Sequence, residues 1–178
     1  MVKTISLSIY LLTIIAYSQS HLRSYSNSLS DIANLNLAQA HINLSKIQPK
    51  DSVELKINKL LLSYTAYLKN GHEFEIKFSD STNNSTKKLL WLNSISHTIY
   101  SDKSSIQEKR STEILHKHYK KGVNLALETN DNALIFFSVK KMIYHLFYNE
   151  HNREELPYYF DKLKKHSTSE LGMLWYDY

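Results

Sequence analysis

Residues 111–166 read STEILHKHYKKGVNLALETND, NALIFFSVKKMIYHLFYNEHN and REELPYYFDKLKKH in three consecutive segments. Each segment has the length of a helix, and each of the first two ends in a short polar break. Helices that are joined by short loops pack antiparallel to their neighbours. The stretch therefore predicts a series of antiparallel helical hairpins, and it carries the clearest structural signal in the chain.

The middle segment has the most regular helical pattern. Its apolar residues recur with the spacing of a buried helical stripe: Ile135, Val139, Met142, Ile143, Leu146 and Phe147. Residues 130–132 supply capping side chains before Ala133, and the run from Asn149 to Asn152 favours a turn. We expect a helix between these two signals.

The last segment completes a hairpin over residues 133–166. Glu154 and Glu155 suit the positive end of a helix dipole, and Pro157 lies in the first turn, where its missing N–H does no harm. Basic residues follow at the other end, where the dipole is negative: Lys162, Lys164, Lys165 and His166.

Residues 28–70 predict a second hairpin of the same kind. Its first helix begins near residue 28 or 30 and is closed by Gln48-Pro49. Asp51 or Ser52 caps the next helix, which Asn70-Gly71 ends.

The region between the hairpins is less regular. Residues 72–78 (HEFEIKF) alternate apolar and charged side chains as a strand does, but a repeat would place its second helix here, and we expect a helix. Composition predicts a loop over 79–86, a helix over 89–100 and a break over 102–105. A long helix is then expected over about 106–129.

The N-terminus has the pattern of a secretory signal peptide over residues 1–18. Lys3 precedes an apolar run over 5–16, and Ala16-Tyr17-Ser18 places small residues before a cleavage site at Gln19. The run is short for a membrane span of about 20 residues. An uncleaved anchor or a first buried helix is the alternative. Residues 19–27 are polar, and we expect a disordered linker there.

Composition favours an all-α, exported protein. The 178 residues are 42% hydrophobic, which is enough for a core, and include three Gly and two Pro, which is few for a turn-rich β-sandwich. The absence of cysteine excludes disulfides and a lipobox, and favours a bacterial periplasm or secretion from a bacterium. After cleavage of the signal, we expect no stable membrane span.

The sequence offers little that points to chemistry. There are nine histidines but no HExxH, and His116 and His118 are two apart, which directs them to different sides of a helix. We predict no catalytic residue, metal site or cofactor, and therefore no enzyme. The net charge of +5 is mild and comes almost entirely from lysine, which lacks the bidentate fork that reads bases, so no nucleic-acid partner is expected.

Residues 111–178 resemble a degenerate tetratricopeptide repeat. Ile143 and Phe147 resemble the first-helix positions of such a repeat. Second-helix positions are matched twice, by Leu115, Tyr119 and Gly122 and again by Leu156, Phe160 and Leu163. The interval from Leu115 to Leu156 is 41 residues, against a usual period of about 34. A longer period resembles that of the tetratricopeptide sensor domains of exported bacterial regulators. The sequence departs from the pattern at Tyr144, Leu156 and Leu163, where small residues are usual.

The resemblance implies antiparallel hairpins stacked as a short right-handed superhelix, over 28–178. An irregular helical bundle is the alternative. The first helix of each pair would line a concave side that binds a protein or peptide partner. The frame set by Ile143 and Phe147 assigns four partner-binding residues to that side: Lys141, His145, Tyr148 and Asn149. The alternative is that they form the solvated face of an amphipathic helix.

The functional expectation is an exported binding module. It would be the sensor part, or a truncated relative, of a bacterial signalling regulator. A periplasmic bundle that binds a small molecule or an envelope component is the alternative. A final helix over 169–178 ends in Trp175, Tyr176 and Tyr178, and these aromatic residues offer a surface for self-association.

Overall fold

A computed structural model describes residues 22–78, 86–107, 110–148 and 150–166 of the chain. Within these ranges the regular structure is entirely helical, which confirms the all-α prediction. The helices are α1 (22–33), α2 (Leu37–Lys46), α3 (Ser52–Asn70), α4 (Lys87–Ile106), α5 (Thr112–Thr129), α6 (Asn132–Phe147) and α7 (Leu156–His166), with a 3-10 segment over Glu150–Glu155. The predicted signal peptide, the 79–85 part of the loop, Asn149 and the helix over 169–178 lie outside the described residues.

Helices that follow one another in the chain pack side by side. From α2 onward each helix contacts the next, and α4 also contacts α6. Their apolar faces meet in one core cluster, whose largest fully buried side chains include Trp91, Tyr64 and Phe137. None of the described helices is long and apolar enough to cross a membrane.

Three predicted helices have the expected ends because their capping residues are local signals. The Asp51 carboxylate accepts hydrogen bonds from the backbone N–H groups of Val53 and Glu54, each at 2.9 Å, at the start of α3. Gly71 ends α3 with a φ of 70°, a left-handed conformation that glycine adopts without steric cost. Asp131 caps α6, and Pro157 lies in the first turn of α7.

The prediction of a disordered linker over 19–27 is wrong for residues 22–27, which belong to α1. Leu22, Tyr25 and Leu29 lie on one face of this helix and are buried in the core. The Tyr25 hydroxyl donates a hydrogen bond to the backbone oxygen of Glu54 at 3.2 Å. These apolar residues are spaced along a segment that is otherwise polar, so the average composition of the segment did not predict a helix.

The single helix expected from about residue 28 to Gln48 is interrupted. Leu35 has a φ of 60°, and residues 34–36 form a turn that separates α1 from α2. The side chain of Leu35 is 74% exposed. The N-terminal unit therefore consists of three helices, α1 to α3, rather than two.

The helix predicted over 72–78 is wrong. These residues form an extended segment without assigned strand pairing. Phe74 and Ile76 pack against the core as alternating side chains of an extended chain do, and the Phe74 ring lies 6.0 Å from that of Tyr67. Lys103 donates a hydrogen bond to the Phe74 backbone oxygen.

The break predicted over 102–105 is also wrong, because α4 continues to Ile106. Two polar residues near the end of α4 are buried and bonded to other helices. The Ser101 hydroxyl donates a hydrogen bond to the Leu115 backbone oxygen at 3.2 Å, and Asp102 is paired as described below. The chain turns after α4 instead, so α5 begins at Thr112 rather than near residue 106.

Gly122 lies at a tight contact between α4 and α5. A Cβ at this position would overlap the Thr98 hydroxyl and lie 3.2 Å from both the Ser94 oxygen and the Thr98 nitrogen. The Ser94 hydroxyl donates to the Gly122 oxygen at 2.8 Å across the same contact. The absence of a side chain at Gly122 therefore sets the distance between these two helices.

We predict that Gly122→Ala lowers the free energy of unfolding by about 1 kcal/mol, because overpacking costs about 1–3 kcal/mol and exceeds the gain in helix propensity of about 1 kcal/mol. Urea unfolding followed by circular dichroism measures this. In a Thr98→Ala background the same change should cost less. Equal or higher stability of Gly122→Ala in both backgrounds would contradict the tight contact.

Candidate functional site

Three of the four predicted partner-binding residues line one cleft. The cleft has a volume of about 560 Å³ and lies among the C-terminal part of α4, the start of α5, and α6. Lys141, His145 and Tyr148 reach it from α6, as their helical spacing predicted. Sequence reasoning did not assign the other lining residues to the site; the ones that matter for its chemistry are Asp102, Arg110, Tyr119 and Tyr144.

A buried carboxylate fixes one wall of the cleft. Asp102 is 9% exposed. It accepts a hydrogen bond from the Tyr64 hydroxyl at 2.5 Å and pairs with the Lys141 ammonium at 2.9 Å. Tyr119 of α5 also lines the cleft, and the charge of Asp102 acts on its hydroxyl. The charge of Lys141 is therefore neutralised within the protein.

The two phenols beside Asp102 remain protonated. Burial, reinforced by the negative charge of Asp102, raises the pKa of Tyr64 and of Tyr119 well above the ordinary value. The Tyr64 hydroxyl therefore remains a hydrogen-bond donor to the carboxylate across the physiological pH range. The Lys141 ammonium also lies 5.8 Å from the centre of the Tyr64 ring, a cation–π distance.

His145 is a neutral side chain at physiological pH. It is 8% exposed, and its ring lies 4.9 Å from that of Tyr119 and 5.6 Å from that of His116. Burial, followed by the charge of His116, lowers the pKa of His145 to about 4. His145 therefore contributes an imidazole of no net charge to the cleft.

The rim of the cleft carries the groups that solvent reaches. Tyr148 is 89% exposed, and Arg110 is exposed just before α5. Within the described ranges no carboxylate forms a salt bridge with Arg110. Tyr144 lies between the rim and the buried wall, and burial, followed by Tyr148, raises its pKa. The rim thus offers a guanidinium and phenol groups, which donate hydrogen bonds to anionic or polar ligands.

The described residues hold no cluster of three or more His, Cys, Asp and Glu side chains that could bind a metal ion. Comparison with known proteins found no matching family model, no matching curated protein and no matching solved structure.

We predict that Asp102→Asn lowers the free energy of unfolding by roughly 2–3 kcal/mol, because it leaves the half-buried Lys141 ammonium without its counter-charge. Combining it with Lys141→Met should cost less than the sum of the two single changes, since both charges are then removed. Chemical unfolding of the four proteins in this cycle measures the coupling. Strictly additive losses would show that the pair does not contribute as a unit.

We predict that stability falls on acidification through titration of His145. Its pKa is lower in the folded than in the unfolded chain, where it is about 6.5, so the unfolded state binds the proton first. The stabilisation is complete above about pH 6.5 and is lost as the pH falls towards about 4, by at most about 1.4 kcal/mol per pH unit.

Replacing His145 with Gln should reduce the slope of this dependence between about pH 6.5 and 5, above the range where most carboxylates titrate. The part of the slope that comes from His97 and His118, whose pKa values are also lowered by burial, should remain. His41→Gln, on an exposed face of α2, is the matched control and should retain the slope of the parent protein. Unfolding midpoints in urea at several pH values measure both. An unchanged slope in His145→Gln would assign the pH dependence to other groups.

Proposed function

We propose that this chain is an exported helical-repeat module that binds a protein or peptide partner, and that an acidic segment of the partner occupies the cleft among α4, α5 and α6. The observation that carries the proposal is the convergence of Lys141, His145 and Tyr148 with Arg110 on one open cleft. Export rests on the signal-like pattern of residues 1–18.

We also propose that α4–α5 and α6–α7 are two tetratricopeptide-like units, and that the chain acts as a sensor module like the exported sensor domains of bacterial signalling regulators. In a stacked array, the first helices of adjacent pairs contact each other. The contact between α4 and α6, in addition to the contacts between consecutive helices, supports this arrangement. An irregular bundle is the alternative arrangement of the same helices.

The charges of the cleft indicate the kind of segment it binds. Lys141 is paired with Asp102 and His145 is neutral, so among the described residues that line the cleft Arg110, at the rim, supplies the positive charge for a ligand. A guanidinium binds a carboxylate through two parallel hydrogen bonds. Tyr144 and Tyr148 add hydroxyl groups and aromatic faces for the rest of the segment.

A small polar molecule is the alternative ligand. The volume of about 560 Å³ lies within the range of small-molecule sites, about 300–1,000 Å³. In that case the chain would be a periplasmic bundle that binds a metabolite or an envelope component. The exposed position of Tyr148 favours the peptide, because the cleft is open at this edge.

We predict that short peptides with alternating Glu bind the chain, whereas matched peptides with alternating Lys do not. Two fluorescein-labelled pools, randomised at the remaining positions, are compared by fluorescence anisotropy. Arg110→Glu should abolish binding of the acidic pool, and Tyr148→Ala should weaken it about tenfold, since a buried aromatic contact contributes about 1–2 kcal/mol. Both side chains are exposed, so neither change should unfold the protein.

The control is Lys165→Glu, which makes the same change of charge on the exposed face of α7. It should bind the acidic pool as the parent chain does. Equal loss in Lys165→Glu would show that net charge alone attracts the peptides. Binding of neither pool, together with binding of a small solute that Arg110→Glu abolishes, would favour the alternative ligand.

A further inference from the structure

A second cavity, of about 320 Å³, is lined by α3, α4 and the extended segment 72–78. Leu92 and Ser96 reach it from α4, and residues 74–78 form the wall on the side of the extended segment. From α3 it receives four residues that are spaced for one helical face: Lys56, Lys59, Leu60 and Ser63. None of these residues lines the cleft among α4, α5 and α6. The cavity is therefore a separate site, and what it binds does not depend on the proposed function.

The extended segment is attached to α4 at both of its ends. Lys103 of α4 donates a hydrogen bond to the Phe74 backbone oxygen, and its ammonium lies 4.8 Å from the centre of the Phe74 ring. At the other end, the Phe78 ring lies 4.8 Å from the ring of His97 on α4. Residues 75–77 pass along the cavity between these two attachments. The wall that they form is therefore in place without a ligand, as is usual for small-molecule sites.

Apolar side chains line the cavity from all three sides. Leu92 of α4 is 5% exposed, while Leu60 of α3 and Ile76 of the extended segment are partly buried against the core. The Ser96 hydroxyl, which also lines the cavity, donates to the Leu92 backbone oxygen at 2.8 Å, so its proton is used within α4. An alkyl chain placed here would leave water for an apolar surface, which is favourable.

Two ammonium groups lie at the α3 edge of the cavity. Lys56 and Lys59 line it and are exposed to solvent. Lysine in such a position packs its alkyl stem against apolar surface and keeps its charge in water. The extended segment adds Glu75 and Lys77, which pair with each other at 3.9 Å. Charge-assisted hydrogen bonds from Lys56 and Lys59 are therefore suited to an acid group at this edge.

We propose that the cavity binds a medium-chain fatty acid, with its alkyl chain against the apolar wall and its carboxylate beside Lys56 and Lys59. Since a water molecule occupies about 30 Å³ of the liquid and a methylene group has a similar size, 320 Å³ accommodates about ten such groups. This volume suits a single chain of about ten carbon atoms, and a membrane lipid with two long chains is too large for it.

The experiment is isothermal titration calorimetry of the full chain with decanoate. We expect saturable binding of one decanoate per chain. Octanoate should bind roughly tenfold more weakly, because it buries two methylene groups fewer. Decyltrimethylammonium has the same chain with a cationic head group, and it should not bind because its charge would meet those of Lys56 and Lys59.

Three variants of the chain locate the site. Replacing Lys56 and Lys59 together with Gln should weaken decanoate binding at least tenfold, the effect of losing a charge-assisted hydrogen bond. The matched control replaces Lys69 and Lys165 with Gln, two exposed lysines that do not line the cavity, and should bind decanoate as the parent does. Ser63→Phe should abolish binding because its ring would occupy the space of the alkyl chain. Circular dichroism checks that each variant is folded.

The absence of saturable decanoate binding to the parent chain would overturn the proposal. Equal affinity for decyltrimethylammonium would do so too, since the acid group would then have no part in recognition. So would unchanged affinity in the double lysine variant, which keeps the test decisive if Ser63→Phe does not fold. Loss of binding in Arg110→Glu but not in the double lysine variant would assign decanoate to the cleft instead. Association with phosphatidylglycerol vesicles without binding of decanoate would assign the two lysines to a membrane surface and reject the fatty-acid site.

Discussion

One buried carboxylate joins three helices of this fold. Asp102 of α4 accepts a hydrogen bond from Tyr64 of α3 and pairs with Lys141 of α6. Burial of a carboxylate is costly unless it is paired and fully hydrogen-bonded. The positions of the two partners are therefore coupled to one another. Because this network forms a wall of the cleft, the shape of the site depends on it.

The same network shows why sequence reasoning succeeded only in part. Asp51, Gly71 and Asp131 act on backbone groups within a few residues, so the ends of α3 and the start of α6 could be predicted from short windows. Asp102 acts on residues 38 and 39 positions away in the chain. No local window contains those partners. A polar run such as 102–105 therefore looked like a break, although it belongs to a helix.

The candidate site, too, was predicted from the sequence only where it depends on local spacing. Lys141, His145 and Tyr148 could be grouped from the sequence because residues four and seven apart share a helical face. Their charge states could not be predicted from the sequence, because these depend on Asp102 and on burial against α5. Arg110 was missed because the expected long helix over 106–129 placed it inside a helix, whereas the structure places it in the turn before α5.

Under the proposed function, the distribution of charge in the cleft orients the ligand. Pairing with Asp102 removes the charge of Lys141 from the wall, and burial keeps His145 neutral, so the interior of the cleft is polar but without net charge. The positive charge of the cleft therefore lies at its rim, where Arg110 is exposed. An acidic group of the proposed ligand is expected beside Arg110, and Tyr144 and Tyr148 supply hydroxyl groups and aromatic faces to the rest of the ligand.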